Sequence, residues 1–146
     1  MKRRNLLKNT YYHICNRSVL KIKIFKCEAD YRFLMHKIAV LKNEYKMDIA
    51  IYCIMPNHLH FLLKNKKNEK YISKCMQRLQ LSYSKYYIGK YDHSGHVFQG
   101  IYKLILINNK AHFDYVYKYI LYNPVDANLV KNPEDWPYTW HNKLGG

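Results

Sequence analysis

Apolar positions along this chain switch between a period of two and a period near 3.6, and the switches predict its elements. Tyr11 to Asn16 is a short aromatic and aliphatic run that reads as a first strand. From Glu28 to Tyr45 the apolar positions Phe33, Leu34, Ile38, Leu41 and Tyr45 return at three- and four-residue steps, as on an amphipathic helix. Met47 to Met55, rich in Ile, Tyr and Cys, is a buried strand that stops at Pro56. His58 to Lys64 follows at once and pairs with it as a hairpin through Pro56-Asn57. Glu69 to about Ile88 is a second helix with Ile72, Met76, Leu79 and Tyr83 on one face, and the polar stretch Tyr91 to His96 is a loop. Tyr102 to Ile107 reads as a fourth strand. Asn108 or Asn109 can cap a third helix from about Lys110 to Tyr122, and Asn123-Pro124 should end it, because proline disfavours a helical residue before it. Pro133 to Trp140 holds two prolines and two tryptophans and is expected to be irregular chain packed on the body.

The order strand, helix, strand, strand, helix, strand spells an α+β fold of the ferredoxin-like, split βαβ kind: an antiparallel sheet with helices on one face. The third helix is an addition, and the second face of the sheet needs it, a ligand or a partner. A chain of 146 residues with no low-complexity linker reads as one domain, residues 1–146, with a core at about 11–125 and an irregular tail at 126–146.

Charge narrows the partner. Lys and Arg number 25 against 10 Asp and Glu, a formal charge of +15, spread through the chain rather than gathered beside an apolar anchor. Nucleic acid fits that distribution better than a membrane surface. The 16 tyrosines, some interleaved with lysine as in Tyr83-Ser84-Lys85-Tyr86-Tyr87, can stack on unpaired bases or simply fill an amphipathic core. Cys15, Cys27, Cys53 and Cys75 form no Cys-x-x-Cys pair and read as small apolar residues in a reducing compartment. The basic start Met1-Lys2-Arg3-Arg4 is broken by Lys8, Asn9 and Thr10 before any apolar segment, so no secretory signal is expected, and no run is long enough to cross a bilayer.

Met55-Pro56-Asn57-His58-Leu59-His60-Phe61 carries the candidate chemistry. In a strand His58 and His60 project to one side and Leu59 and Phe61 to the other. Two imidazoles so spaced can share a metal ion, or can be hydrogen-bonded histidines on a sheet face; the pair alone fits both. Cys53 has no second cysteine to complete a structural zinc set. On the third helix Tyr115, Tyr119 and Asn123 share a face at four-residue steps. Asn123 offers a neutral oxygen ligand, and Tyr119 a phenol one turn away. A phenol is a poor nucleophile near its ordinary pKa of about 10, unless a cation neutralises the phosphate it attacks.

These blocks, with Met76-Gln77-Arg78-Leu79, Gly95-His96-Val97-Phe98-Gln99-Gly100 and Tyr119-Ile120-Leu121-Tyr122-Asn123-Pro124-Val125, together resemble the HUH single-tyrosine transposases, the IS200-like family. The tail Pro133-Glu134-Asp135-Trp136-Pro137 resembles the REP-associated branch. The resemblance implies that His58, His60 and Asn123 bind a divalent ion, Mg²⁺ or Mn²⁺, and that Tyr119 is the nucleophile. It also implies cleavage and rejoining of single-stranded or hairpin-flanking DNA through a 5′-phosphotyrosine, by a cytoplasmic, nucleoid-associated monomer or homodimer. Candidate DNA contacts are Arg17, Arg78, Lys85, His96, Gln99 and Lys103. Relatives carry arginine where this chain has Ile101 and Asp126, which removes positive charge from two backbone contacts. Two other readings explain part of the pattern: a non-catalytic ferredoxin-like module that binds single-stranded nucleic acid, and a small zinc-stabilised interaction protein.

Overall fold

The computed structural model describes residues 10–65 and 69–142. The basic N-terminal segment judged against a secretory signal, and residues 143–146 of the tail, lie outside the described residues. Five antiparallel strands form one sheet in the order β4-β1-β3-β2-β5, with β1 at Thr10–Arg17, β2 at Asp48–Met55, β3 at His58–Asn65, β4 at Lys103–Leu106 and β5 at Thr139–His141. The first four strands and the helices α1 (Glu28–Tyr45) and α2 (Glu69–Tyr91) give the expected α+β, ferredoxin-like order.

Local chemistry sets each helix. α1 begins with a capping box in which the Asp30 carboxylate accepts from the backbone N–H groups of Lys26 at 2.9 Å and Cys27 at 3.3 Å. It ends at Lys46, which adopts the left-handed conformation of a helix C-terminus. Tyr31, Leu34, Ile38 and Leu41 then face the sheet together with Ile72, Met76, Leu79 and Tyr83 of α2. Lys90 and the hydroxyls of Tyr86 and Tyr91 hold the buried Asp30 carboxylate ionised, well below the usual carboxylate range despite its desolvation.

The second sheet face is covered by α3 (Lys110–Asp126), whose first turn is capped by Asn109 accepting from the His112 N–H at 2.8 Å. Val116 and Ile120 pack on Ala50, Ile51, Cys53, Met55 and Leu62. A bulge in β2 between Ile49 and Ile51 helps: Ala50 and Ile51 both contribute to this face, while Ile49 stays with the α1/α2 core.

Three expectations need correction. α3 does not stop at Tyr122 but continues through Pro124 to Asp126. Pro124 removes one N–H in the last turn only, its ring is buried, and the next carbonyls are used by Ala127, Asn128 and Leu129. The tail is not wholly irregular, because Thr139–His141 adds a fifth strand to the edge of β2, fixed by Trp136 Nε1–H donating to the Ile54 carbonyl at 3.0 Å. α2 runs on to Tyr91, where an aromatic ladder of Tyr83, Tyr87 and Tyr91 extends the helix into the expected loop.

Ile120 is fully buried between α3 and the sheet. Ile120→Ala should cost about 2–5 kcal/mol, read as a lowered urea midpoint at unchanged slope.

Candidate active site

The register brings the site residues together. β1 and β3 pair Cys15 with His60 and Arg17 with His58, so the face beneath α3 carries His13, Cys15 and Arg17 beside His58 and His60. The β2–β3 turn, Pro56-Asn57, has no positive φ, unlike the turns favoured in two-residue hairpins. It is braced from outside: the Pro56 carbonyl accepts from Ile24 at 2.8 Å and Phe25 at 3.1 Å, and the Asn57 carbonyl from Ser18 at 2.9 Å. His58 therefore starts β3 from a fixed point.

α3 supplies the other half. Tyr119 and Asn123 sit one position before Ile120 and Pro124, so they flank the buried row and overhang the sheet. The Tyr119 ring meets His60 edge-on at 5.5 Å and His13 at 6.2 Å between centroids. Asn123 Oδ1 lies 3.1 Å from His58 Nε2, and Asn57 Oδ1 lies 2.7 Å from His58 Nδ1. Asn57, His58, His60, Tyr119 and Asn123 line a cleft of about 420 Å³ with Cys15, Arg17, Lys21, Asp126 and Ala127. Tyr115, one turn earlier, is 71% exposed and outside that lining, whereas Tyr119 is 41% exposed and within it. All of these residues come from one chain.

Electrostatics keep the imidazoles neutral. Burial lowers the pKa of His58, with Arg17 acting the same way and the polar contact with Asn123 opposing. His60, 3% exposed, is held well below the ordinary histidine value by burial first and then by His58, His13 and Arg17. His13 is lowered by burial and by His112. Neutral imidazole is the ligand form. Among the described residues no group of three or more His, Cys, Asp or Glu could hold a metal ion, and the set here is instead two imidazoles and an amide. Its fit to a cation rests on two observations. The separation of His58 Nε2 and Asn123 Oδ1 is 3.1 Å, and adjacent ligands of an octahedral Mg²⁺ with bonds of about 2.1 Å stand about 3.0 Å apart. His60 Nε2 is buried with no hydrogen-bond partner, an unmet polar atom of the kind a ligand satisfies.

The predicted DNA contacts divide. Arg17 lines the cleft, and Lys103 pairs with Cys15 at its β4 side. Arg78 is bound instead to Glu44 at 2.6 Å and lies over the Tyr45 ring. Lys85 is exposed on α2 away from the cleft. His96 and Gln99 line a second groove of about 570 Å³ against α2. Sequence reasoning missed His13, Cys15, Lys21 and Asn57; the alternation Tyr11, His13, Cys15, Arg17 was the available signal, and only the pairing register gives it meaning.

A ferredoxin-like sheet thus carries His58 and His60, and Tyr119 of the covering helix meets the His60 ring edge-on. The chain belongs to the IS200-like transposase family, whose profile matches residues 6–123. Its fold is similar to that of the REP-associated tyrosine transposase bound to a REP hairpin, at a TM-score of 0.76 and 19% identity, covering 95% of this chain and 81% of that one. It is also similar to a transposase structure from Deinococcus radiodurans, at a TM-score of 0.55 and 14% identity, covering 82% of this chain and 95% of that one. No curated protein matches the sequence. Among the described residues no helix is long and apolar enough to cross a membrane.

The three depressed histidines bind protons more readily in the unfolded chain, so stability is present at neutral pH and falls as pH drops below about 6.5. The urea midpoint of the metal-free protein should therefore fall between about pH 7 and pH 5, and fall less steeply in His60→Gln. A flat midpoint in the parent protein contradicts the burial argument.

Proposed function

We propose that this protein is a divalent-metal-dependent strand transferase that cleaves and rejoins single-stranded DNA beside a hairpin through a covalent bond to Tyr119. The observation that carries the reading is the contact of the Tyr119 ring with His60 in the cleft where His58 Nε2 and Asn123 Oδ1 converge at 3.1 Å. Family membership supports a DNA-processing activity, and the similar fold of a transposase bound to a REP hairpin supports a hairpin as the recognised element. The charge of +15 suits a polyanion.

His58, His60 and Asn123 would hold Mg²⁺ or Mn²⁺. Bound there, the ion would neutralise a non-bridging oxygen of the scissile phosphate and so lower the barrier to attack by a phenol. Tyr119 Oη attacks phosphorus, the Oη–P bond forms and the P–O3′ bond breaks. The phenolic proton leaves to solvent, and the departing 3′ oxygen takes one up as a free 3′-OH. The DNA is then held by a 5′-phosphotyrosine ester. A second 3′-OH attacks the same phosphorus and releases the phenol, so one diester replaces another and no nucleotide cofactor is consumed. Arg17, Lys21 and Lys103 hold the strand's phosphates near the cleft, and Asp126 repels them on the α3 side, which confines the backbone path to the β1 side.

Incubation with Mn²⁺ and labelled hairpin DNA bearing single-stranded flanks should give a protein–DNA adduct that survives denaturation. EDTA abolishes it, Tyr119→Phe abolishes it while leaving hairpin affinity within about twofold, and His58→Ala lowers its yield at least about a hundredfold. Adducts persisting in Tyr119→Phe move the nucleophile to another tyrosine. Chelator-insensitive binding without any adduct supports the non-catalytic module instead.

A further inference from the structure

His58 and His60 are each touched from behind by a polar side chain that does not itself reach toward Asn123. His13 Nε2 lies 3.0 Å from His60 Nδ1, and Asn57 Oδ1 lies 2.7 Å from His58 Nδ1. The orientation of the Asn57 amide is decided by its other end. Its Nδ2 donates to the Lys21 carbonyl at 3.3 Å, an atom that can only accept, so its oxygen must be the atom that meets His58. His58 therefore carries its hydrogen on Nδ1, and its Nε2 lone pair and Asn123 Oδ1 are two acceptors 3.1 Å apart, placed to share a cation rather than a hydrogen.

The same logic applies to His60. Along this face β3 presents His58, His60 and then Leu62, and His13 stands across from Leu62. His60 thus meets His13 through Nδ1, while its Nε2 is buried without a hydrogen-bond partner in a ring whose centroid lies 5.0 Å from that of His58. Only one of the two possible proton arrangements makes that atom useful. If His13 donates, His60 holds its hydrogen on Nε2 and buries a donor with no acceptor. If His13 accepts, the hydrogen is on His60 Nδ1 and Nε2 offers a lone pair beside His58.

We infer that His13 and Asn57 are positioning residues that hold His60 and His58 in the Nδ1–H form, so that both present Nε2 to a divalent cation. The inference rests on the metal-dependent reading above and deepens it. A ligand imidazole commonly donates its second N–H to a carboxylate, a carbonyl or water, and loss of such a partner weakens metal affinity about ten- to a hundredfold. Here the partners are an amide oxygen from the hairpin turn and another imidazole from the neighbouring strand. Asn57 further ties His58 to a turn in which Leu20 and Lys21 both have positive φ, at 51° and 56°, so the ligand's orientation is coupled to the segment that lines the cleft with Lys21.

The test is long-range ¹H–¹⁵N correlation NMR of the metal-free protein with ¹⁵N-labelled histidine, together with Mn²⁺ titration followed by electron paramagnetic resonance. Expected are His58 and His60 both protonated on Nδ1, and a ten- to hundredfold loss of Mn²⁺ affinity in His13→Leu and in Asn57→Leu. His13→Gln, which keeps an acceptor, should recover most of the affinity. Protonation of His60 on Nε2, or Mn²⁺ affinity within twofold of the parent in a folded His13→Leu, overturns the inference while leaving the metal reading intact. A parent protein that binds no Mn²⁺ overturns the metal reading and this inference with it. Should His13→Leu fail to fold, the parent's NMR tautomers decide the matter without it.

Discussion

Val116, Ile120 and Pro124 bury one side of α3, the first two against Ala50, Ile51, Cys53, Met55 and Leu62, and that burial brings a phenol and an amide to two imidazoles. The paired histidines are fixed by β3 and its braced turn, but alone they are, with His13 and Arg17, polar groups beside an apolar patch. α3 converts them into a cleft, because the row Tyr119 and Asn123 lies one position from the row it buries. The bulge at Ala50 and the short β5 matter for the same reason: one widens the apolar seat of α3, and the other closes the edge of the strand that forms it.

The cost of this arrangement falls on the same atoms as its use. Three imidazoles are desolvated side by side, near a guanidinium, and all are pushed toward the neutral form. An apolar side chain at position 60 would pack there with no unmet polar atom, whereas His60 Nε2 has no partner. Residues that break the rules of core composition in this way cluster where chemistry is carried out. The strained turn at Leu20 and Lys21 belongs to the same set, since Asn57 joins it to His58.

Much of this was legible in the sequence, and the rest was hidden for definite reasons. Periodicity with turn and cap signals located the three α-helices and the first four strands, and put His58 and His60 on one face. The extension of α3 through Pro124 was not visible, because local proline chemistry argues for a stop and only the buried seat of the ring reverses it. β5 was not visible either: three residues centred on Trp140 are too few to show a period, and β2's free edge is what orders them. His13 and Asn57 share that fate, since their meaning lies in cross-strand register and in an amide's two ends, neither of which a single chain of letters contains. Arg78, a candidate phosphate contact by charge, pairs with Glu44 while both side chains stay half-exposed, a partner that charge alone does not reveal.

The claim on which all of this turns is that the phenol over the histidines is the one that bonds to DNA. Peptide mapping of a trapped adduct tests it directly: trypsin digestion of Mn²⁺-treated protein with hairpin DNA, nuclease trimming, and fragmentation mass spectrometry of the peptide following Lys118, which holds Tyr119 and Tyr122. The predicted result is a nucleotide phosphate on Tyr119. Its attachment to Tyr122, or to Tyr115 on the peptide that ends at Lys118, would contradict the account.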